Sequence, residues 1–357
     1  KASFERMSFE GATIRLAADG VAFSVALHPE QNLLAVGLIG GRIRVYDYDE
    51  FKPVQHSCAK PHDGSCRALL FSESGAELFS GGSDGAVHQR DVGTNKAVWT
   101  QSEAHAGAVN ALAPLGSMGI ASGDDDGKLK LWDLRSSAVS MQFSEHQDYI
   151  SSMLFVADKG PSLVATSGDG CLSVFDLRRG RLEALSDNQE DELLCLCLAK
   201  GGRKLLCGMQ TGVLGIFSWG DFGDVSDRLL GHPESVEAIA AYDDDVVFTA
   251  SSDGLIRAVG IQPNAVLGVA GEHAEPIESL VIDKRRKTLA SCSHDGTVRL
   301  WDVSELQGMD SLPSDAGVED ASDCGAEPPA AAKAPKKLKA PPKGHAAIAM
   351  GSDFFSD

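Results

Sequence analysis

One glycine recurs along this chain at almost constant intervals, and no other feature limits the possible folds so strongly. Each copy follows an apolar stretch and precedes a segment of alternating apolar and polar residues, and successive copies lie 42 to 44 residues apart. The seven copies are Gly41, Gly85, Gly127, Gly170, Gly212, Gly254 and Gly296. Such a period is typical of repeat architectures, in which each copy buries its apolar face against its neighbours. The chain is therefore predicted to contain seven similar structural units.

The residues around these glycines indicate that each unit is built of short strands. Asp-Gly between alternating apolar residues, as at Asp84-Gly85 and Asp253-Gly254, is the strongest short-range hairpin signal. A characteristic pair follows five and six positions beyond the glycine, as at Trp132-Asp133 and Trp301-Asp302. Half of the ten His residues lie 22 to 24 positions before their turn glycine; these are His62, His105, His146, His232 and His273.

These phased residues resemble the WD-repeat family, whose repeats of about 40–45 residues each form a four-stranded blade. The resemblance covers residues 12 to 303 and implies an all-β fold, a seven-bladed WD-repeat β-propeller. It also implies a buried hydrogen-bond chain in a blade, from a His through a Ser or Thr and a turn Asp to a Trp. Two copies carry all four residues: His105, Ser122, Asp126 and Trp132, and His273, Ser291, Asp295 and Trp301.

The other copies depart from this pattern. The Trp is replaced by Arg90, Phe175, Phe217 and Val259, and the first copy has Gly40 in place of the Asp. A buried polar chain stabilises a protein only when every member is satisfied. We therefore expect the third and seventh blades to be the most rigid, and the first and fifth to depend mainly on apolar packing.

The two ends of the repeat array indicate how the propeller closes. The last copy has no convincing fourth strand after Trp301-Asp302, whereas the alternating segment 12–17 precedes the first copy. Pairing this N-terminal strand onto the outside of the last blade removes exposed strand edges. We expect 28 strands, no required helix, and a propeller domain over residues 1–303.

Residues 304–357 are predicted to form a disordered tail. Its first part, 304–329, contains seven acidic residues and no basic one, and Lys, Pro and Ala then dominate. Such a composition buries too little apolar surface to offset the entropy of ordering. Lys333, Lys336, Lys337 and Lys339 resemble a nuclear-localisation patch, with a solvated spacer as the alternative. Phe354 and Phe355 in the acidic end are candidates for a short docking motif.

The charge distribution limits the classes of partner. The chain has a net charge of −19, and the part before residue 304 carries 42 acidic against 27 basic residues, a net charge of −15. Such a surface repels phosphate, so the propeller is not expected to bind nucleic acid directly. The basic run 284–287 is interpreted as a solvated turn. Other proteins, basic ones in particular, are the expected partners; no transmembrane segment and no membrane partner are predicted.

The sequence contains none of the motifs typical of catalysis, so the chain is not expected to be an enzyme. It has no phosphate-binding loop, no GxSxG elbow, no HExxH and no GxGxxG after a strand. No small-molecule substrate, cofactor or metal is predicted. The acidic run 124–126 is explained by the repeat turn, and the phased His residues are interpreted as hydrogen-bond donors and not as metal ligands. The eight Cys show no metal-binding spacing and are expected to be buried.

Three stretches outside the generic repeat pattern carry a finer resemblance. Residues 167–172, 220–228 and 253–264, together with the Phe-Phe-Ser-Asp ending, are similar to the family of WD repeat-containing protein 55 and its fungal counterparts. This resemblance implies a nuclear and nucleolar scaffold protein, with some cytoplasmic presence, that acts in ribosomal-RNA synthesis and processing and binds pre-ribosomal factors.

An alternative function rests on a different motif. Trp132, Asp133 and Arg135 fit the W-D-x-R pattern by which some WD-repeat proteins resemble substrate receptors of cullin-type ubiquitin ligases. The Arg would offer a charge-assisted fork to a carboxylate of the ligase adaptor. A third alternative, a propeller hydrolase or a histone-tail reader, needs polar or aromatic residues that converge at the channel mouth.

Overall fold

The computed structural model describes residues 7, 9–16 and 20–308. Within them, 28 strands form seven four-stranded antiparallel sheets, which are the blades of a β-propeller. The predicted all-β, seven-bladed architecture is confirmed. The strands are numbered β1 to β28 in chain order, and each blade is numbered by its turn glycine.

The first four blades each consist of four consecutive strands. Blade one contains Ala22–Leu27, Leu33–Leu38, Ile43–Asp47 and Val54–Ala59 (β2 to β5). Blade two contains Cys66–Phe71, Glu77–Gly82, Val87–Asp91 and Ala97–Gln101 (β6 to β9). Blade three contains Val109–Pro114, Ile120–Asp124, Leu129–Asp133 and Ala138–Phe143 (β10 to β13). Blade four contains Ile150–Val156, Ser162–Ser167, Leu172–Asp176 and Arg181–Leu185 (β14 to β17).

The last three blades complete the ring. Blade five contains Leu193–Ala199, Lys204–Met209, Val213–Ser218 and Asp227–Leu230 (β18 to β21). Blade six contains Val236–Ala241, Val246–Ser251, Leu255–Gly260 and Ala265–Glu272 (β22 to β25). Blade seven contains Ile277–Ile282, Thr288–Ser293 and Thr297–Asp302 (β26 to β28), with Gly11–Arg15 (β1) as its fourth strand.

The N-terminal strand closes the propeller as predicted. β1 runs antiparallel to β28, with Gly11 opposite Trp301 and Arg15 opposite Thr297. The outermost strand of blade seven therefore comes from the opposite end of the repeat array, and the first and last repeats are held in one sheet. This pairing covers the edge that β28 would otherwise expose.

Apolar side chains fill the spaces between neighbouring blades. Seven clusters of buried apolar residues occur in the described chain, one at each of the seven blade interfaces. The second strand of a blade is covered on both faces, and in Leu33–Leu38 all six residues are buried. A strand that is buried on both faces gains nothing from alternating polar residues, which explains the continuous apolar runs in the sequence.

The recurring glycines are required by the turn between the second and third strands. Their φ angles lie between +73° and +82°, in the left-handed region that favours glycine. A Cβ at Gly85 would lie 2.5 Å from the carbonyl oxygen of His105, and one at Gly127 would lie 2.6 Å from that of His146. The turn of one blade thus packs directly against the phased His position of the next, and this contact accounts for the constant spacing.

Within the described residues, helical structure is limited to three short 3-10 segments: Asp49–Phe51, Gly116–Met118 and Ser304–Gly308. No helix in the described part of the chain is long and apolar enough to cross a membrane. The last segment lies within the predicted tail, and its Leu306 packs against the apolar cluster of blades six and seven. The rest of the predicted tail lies outside the described residues, and with it Lys333, Lys336, Lys337, Lys339, Phe354 and Phe355.

Candidate functional site

Blade three contains a complete buried hydrogen-bond chain. Nδ1 of His105 lies 2.7 Å from Asp124 Oδ2, and its Nε2 lies 2.6 Å from Ser122 Oγ. The indole N–H of Trp132 donates to the same hydroxyl over 2.7 Å. Burial alone would raise the pKa of Asp124, but hydrogen bonds from His105 and from the backbone N–H of Lys128 outweigh it and hold that pKa below its usual range.

The carboxylate of this chain corrects one sequence prediction. Asp126 is exposed and pairs with Lys128 Nζ at 3.1 Å, whereas the side chain of Asp124 is fully buried against His105. The prediction of Asp126 was wrong because it took the carboxylate directly before the turn glycine, as in blades two, four, six and seven. The last residue of β11 supplies the buried carboxylate of blade three.

In blade seven the four predicted residues lie together. His273 Nδ1 lies 3.0 Å from Asp295 Oδ2, and His273 Nε2 lies 2.8 Å from Ser291 Oγ. The indole N–H of Trp301 donates to Ser291 Oγ over 3.1 Å. Both four-residue chains occupy the interior of their blades, so their role is to hold strands and turns together.

Blade four keeps a three-residue chain by moving its hydroxyl to the neighbouring strand. His146 lies 3.0 Å from Asp169 Oδ2 and 2.7 Å from Ser173 Oγ. The position on the second strand that carries Ser122 in blade three is Ala165 here, and Ala165 lies directly opposite Ser173 across the β15–β16 pair. The serine thus reaches the same imidazole from the third strand, a compensation that the repeat spacing does not reveal.

Blade six divides its chain into two pairs. His232 Nε2 lies 2.8 Å from Thr249 Oγ1, but the turn carboxylate of Asp253 is held by Arg257 at 3.0 and 2.5 Å. Nδ1 of His232 is buried without a partner among the described residues. Burial, with the positive charge of Arg257, lowers the pKa of His232 to about 4, so this imidazole is neutral at pH 7.

Blades one and five have no imidazole at the phased position. The backbone N–H that His105 donates to the preceding turn glycine is supplied in blade one by Leu16, which donates to Gly296 O over 3.0 Å. In blade five Gln189 donates in the same way to Gly170 O over 3.0 Å. The side chain of Leu16 joins the apolar cluster between blades seven and one. The His-centred chain is thus missing from the described residues of both blades, and their dependence on apolar packing stays a prediction.

A ring of seven side chains surrounds the channel at the start of the innermost strands. The pairing register of each innermost strand shifts at its second residue, and the extra residue of this β-bulge lines a central cavity of about 260 Å³. The seven residues are Phe23, Arg67, Asn110, Ser151, Leu194, Glu237 and Glu278. They lie 17 to 19 positions before the turn glycines, so the same repeat phase could have identified this mouth ring from the sequence.

The side of the mouth ring formed by blades six and seven is acidic. The carboxylate of Glu237 accepts hydrogen bonds from Ser235 Oγ at 2.6 Å and Ser252 Oγ at 2.9 Å. The carboxylate of Glu278 lies 2.5 Å from His294 Nε2. Burial raises the pKa of Glu278; the attraction of His294 opposes this shift, and repulsion from Glu237 adds to it. Glu237 is thus held by two hydroxyl groups and Glu278 by one imidazole, and this acidic sector favours a cationic ligand.

The opposite side of the mouth ring is neutralised. Arg67 Nη1 donates to Asn110 Oδ1 over 2.7 Å and lies 3.2 Å from Asp125 Oδ1. The amide of Asn110 donates to the same carboxylate over 2.6 Å. Because this arginine is paired with Asp125, the charge of the ring is concentrated at Glu237 and Glu278.

The hydroxyl and thiol groups of the channel wall connect neighbouring blades. Ser24 Oγ donates to Cys66 O over 3.2 Å, Ser151 Oγ to Leu193 O over 2.5 Å, and Cys195 Sγ to Val236 O over 3.3 Å. Burial also raises the pKa of the Cys195 thiol. Each of these groups serves a carbonyl of the next blade, which is a structural role and not the activation of a nucleophile.

The W-D-x-R residues lie away from the mouth ring. Trp132 is 2% exposed and belongs to the blade-three chain. Arg135 follows β12, in the connection to β13, and this connection lies on the propeller face opposite the starts of the innermost strands. Its side chain is 88% exposed and its Nε lies 3.3 Å from Asp133 Oδ1. The structure therefore does not bring these residues together with the acidic sector.

Comparison with known proteins agrees with this architecture. The WDR55 family model matches residues 13–306. WD repeat-containing protein 55 of Arabidopsis thaliana is 41% identical over 287 residues, which are 80% of this chain and 81% of the relative. The human protein of the same name is 35% identical over 84% of this chain and 78% of its own length. WD repeat-containing protein JIP5 of Cryptococcus neoformans is 36% identical over 80% of both chains. The predicted resemblance is confirmed, and the chain belongs to the WDR55 family of WD-repeat proteins.

Proposed function

We propose that this chain is a non-catalytic protein-interaction scaffold of the nucleus and nucleolus that acts in ribosomal-RNA synthesis and processing and in ribosome assembly. The observation that carries the scaffold role is the mouth ring, whose residues stand on innermost strands and whose charge is concentrated at Glu237 and Glu278. The nucleolar and ribosomal part rests on the family resemblance of the three blade-specific stretches. Rigid elements that present loops and rims are where a propeller binds its partners.

The charge of the scaffold favours basic proteins as partners. The chain before residue 304 carries a net charge of −15, and the acidic sector of the mouth adds two partly buried carboxylates. Such a surface repels the phosphates of RNA, so the propeller is expected to join pre-ribosomal particles through Lys-rich or Arg-rich proteins. Charge pairs that are partly buried at the channel mouth are screened less by salt than exposed pairs.

The test is affinity purification of the full chain, followed by mass spectrometry, at low and at high salt. We expect wild type to recover basic pre-ribosomal proteins at both salt concentrations. The double variant Glu237→Gln, Glu278→Gln, which keeps the shape of the mouth but not its charge, should lose most of them. The exposed variant Arg135→Ala, on the opposite face, is the matched control and should recover the same set as wild type.

Two outcomes would contradict the proposal. Strong, salt-sensitive binding of RNA by the propeller would show that the acidic body does not exclude nucleic acid. Recovery of a cullin-ligase adaptor that is lost in Arg135→Ala and kept in the double Glu variant would replace the scaffold role by the receptor role.

Localisation is tested separately. We propose that the lysine patch of the tail directs the chain to the nucleus. A fluorescent fusion in which the four lysines are replaced by Ala is expected to move toward the cytoplasm, while the Phe354→Ala, Phe355→Ala fusion stays nuclear. Unchanged nuclear enrichment of the lysine variant would remove this proposal. The four positions are Lys333, Lys336, Lys337 and Lys339.

A further inference from the structure

Blade two brings three potential metal ligands together at its turn. One ring nitrogen each of His62 and His88 and a carboxylate oxygen of Asp84 all lie within 4.8 Å of one another. The two imidazole rings are 4.7 Å apart and nearly perpendicular, at 80°. We propose that this cluster binds a divalent first-row transition-metal ion such as Zn²⁺, with two imidazole nitrogens, one carboxylate oxygen and water as its ligands.

The cluster arises because one variable position of the repeat carries a second imidazole. His88 lies three residues after its turn glycine and directly opposite Ser80. In the other blades this position carries Arg44, Lys130, Ser173, Gly215, Arg257 and Arg299. A cation there repels a metal ion, and in blade six Arg257 itself occupies the turn carboxylate. His88 instead turns the ordinary His–Asp pair of a blade into a set of three ligands.

The protonation states suit a metal site. Burial is the main cause that lowers the pKa of His62, and it also lowers the pKa of His88, to about 4. Both imidazoles are therefore neutral at pH 7 and have a lone pair to donate. For Asp84, hydrogen bonds from the Asp63 N–H and from His62 outweigh burial and lower the pKa, so its carboxylate is ionised.

Each of the three ligands is oriented by a further partner. Ser80 Oγ lies 2.9 Å from His62 Nε2, and Thr100 Oγ1 lies 3.1 Å from His88 Nδ1. The carboxylate of Asp84 accepts the backbone N–H of Asp63 over 3.0 Å. Such partners fix the tautomer and the ring orientation of metal-bound imidazoles. Because Ser80 occupies Nε2 of His62, Nδ1 is the nitrogen that would face the ion. This atom already lies 3.0 Å from Asp84 Oδ1.

The burial of the ligands describes an open site near the surface. The side chain of His62 is fully buried, whereas that of Asp84 is 21% exposed. An ion at about 2.0–2.2 Å from each ligand atom would take the place of the hydrogen shared by His62 and Asp84. Its remaining coordination positions would face water on the Asp84 side. This site would add a metal to a protein whose scaffold function does not require one.

The test uses the full chain, freed of metal with a chelator and then titrated with Zn²⁺ by calorimetry and with Co²⁺ by visible absorption. We expect one equivalent of Zn²⁺ at low micromolar affinity or tighter, and a Co²⁺ spectrum of a low-symmetry site. The variant His88→Lys copies the lysine of blade three and leaves His62, Ser80 and Asp84 in place. It should fold as wild type does and bind Zn²⁺ at least about 100-fold more weakly, since even loss of a secondary partner costs 10- to 100-fold.

Two further variants sharpen the result. His56→Lys changes an exposed imidazole of β5 in the same way and should keep the full equivalent of metal. Arg299→His places a second imidazole beside His273 and Asp295, which lie 3.0 Å apart as in blade two, and should raise the stoichiometry to two. The proposal is overturned if wild type binds no Zn²⁺, or if His88→Lys retains the metal. A single equivalent in Arg299→His would contradict the deciding role given to His88.

Discussion

Blades three and five form the same four-stranded sheet from opposite kinds of residue. Blade three has His105, Ser122 and Trp132 in a continuous polar chain, all buried. At the corresponding positions blade five has Gln189, Cys207 and Phe217, which are also buried. A blade can therefore form without the polar chain, with Cys207 and Phe217 in place of the hydroxyl and the indole. The polar chain adds hydrogen bonds worth about 1 kcal/mol each, and it penalises any variant in which one member is left without its partner.

The largest effect is expected when the imidazole of blade three is removed. His105→Leu leaves the carboxylate of Asp124 in a fully buried site without its imidazole hydrogen-bond partner. Breaking such a pair costs about 3–5 kcal/mol, and the backbone N–H groups of Asp126 and Lys128, which still donate to Asp124, place the loss near 3 kcal/mol. Urea unfolding measures this loss in the free energy of unfolding. The slope of that free energy against urea concentration should stay unchanged. The exposed His56→Leu is the control, and a loss in His105→Leu as small as in this control would contradict the structural role of the chain.

Blades six and seven are expected to differ in how their stability depends on acid pH. The pKa of His232 is about 4 in the folded protein and near 6.5 in an unfolded chain. As the pH falls, the unfolded state therefore takes up the proton before the folded state does. The stability that depends on a neutral His232 is complete above about pH 6.5 and is lost as the pH falls toward 4. With allowance for solvent screening, the loss is about 2 kcal/mol.

The variant His232→Gln tests this assignment. It should lower stability at pH 7 and flatten the decrease between pH 6.5 and 4, as measured by thermal unfolding across that range. His273→Gln is the comparison, because burial also lowers the pKa of His273 but Asp295 opposes this shift at 3.0 Å. An equal flattening in both variants would show that the missing carboxylate partner of His232 does not set its acid sensitivity.

A smaller effect is expected from the indole of blade three. Trp132→Phe removes the N–H that donates to Ser122 Oγ but keeps an aromatic ring in the core. We expect a loss of about 1 kcal/mol in urea unfolding, the usual net contribution of one hydrogen bond. Trp99→Phe is the matched control, since Trp99 packs edge-on against Trp132 with ring centres 5.5 Å apart. Equal losses in the two variants would assign the effect to ring size and not to the hydrogen bond.

The repeat phase was sufficient to predict the propeller, its seven blades and the closing strand, because turn geometry and apolar packing recur with the same spacing. It was not sufficient to choose between Asp124 and Asp126, which lie two positions apart in one acidic run. In the structure Asp124 is buried and Asp126 is exposed. The repeat phase also did not predict that the hydroxyl of blade four comes from Ser173 on the third strand and not from the second strand. This compensation occurs across a strand pair and not along the chain. The mouth ring shares the repeat phase, but six residue types occupy its seven positions. No common motif therefore marks it.

Blade five is expected to tolerate, or even favour, the loss of the polar side chain of Gln189, whereas blade three does not tolerate the loss of His105. The Oε1 of Gln189 is buried without a hydrogen-bond partner among the described residues, and its Nε2 donates to Asp187 O over 2.8 Å. Gln189→Leu removes the unsatisfied oxygen, and Asp187 O still accepts the hydroxyl of Ser186 over 2.9 Å. The lost hydrogen bond and the removed desolvation penalty are each about 1 kcal/mol, so urea unfolding should show a change within about 0.5 kcal/mol of zero. A loss comparable with that of His105→Leu would mean that blade five also depends on a polar chain, and that its difference from blade three lies in the partners and not in the principle of packing.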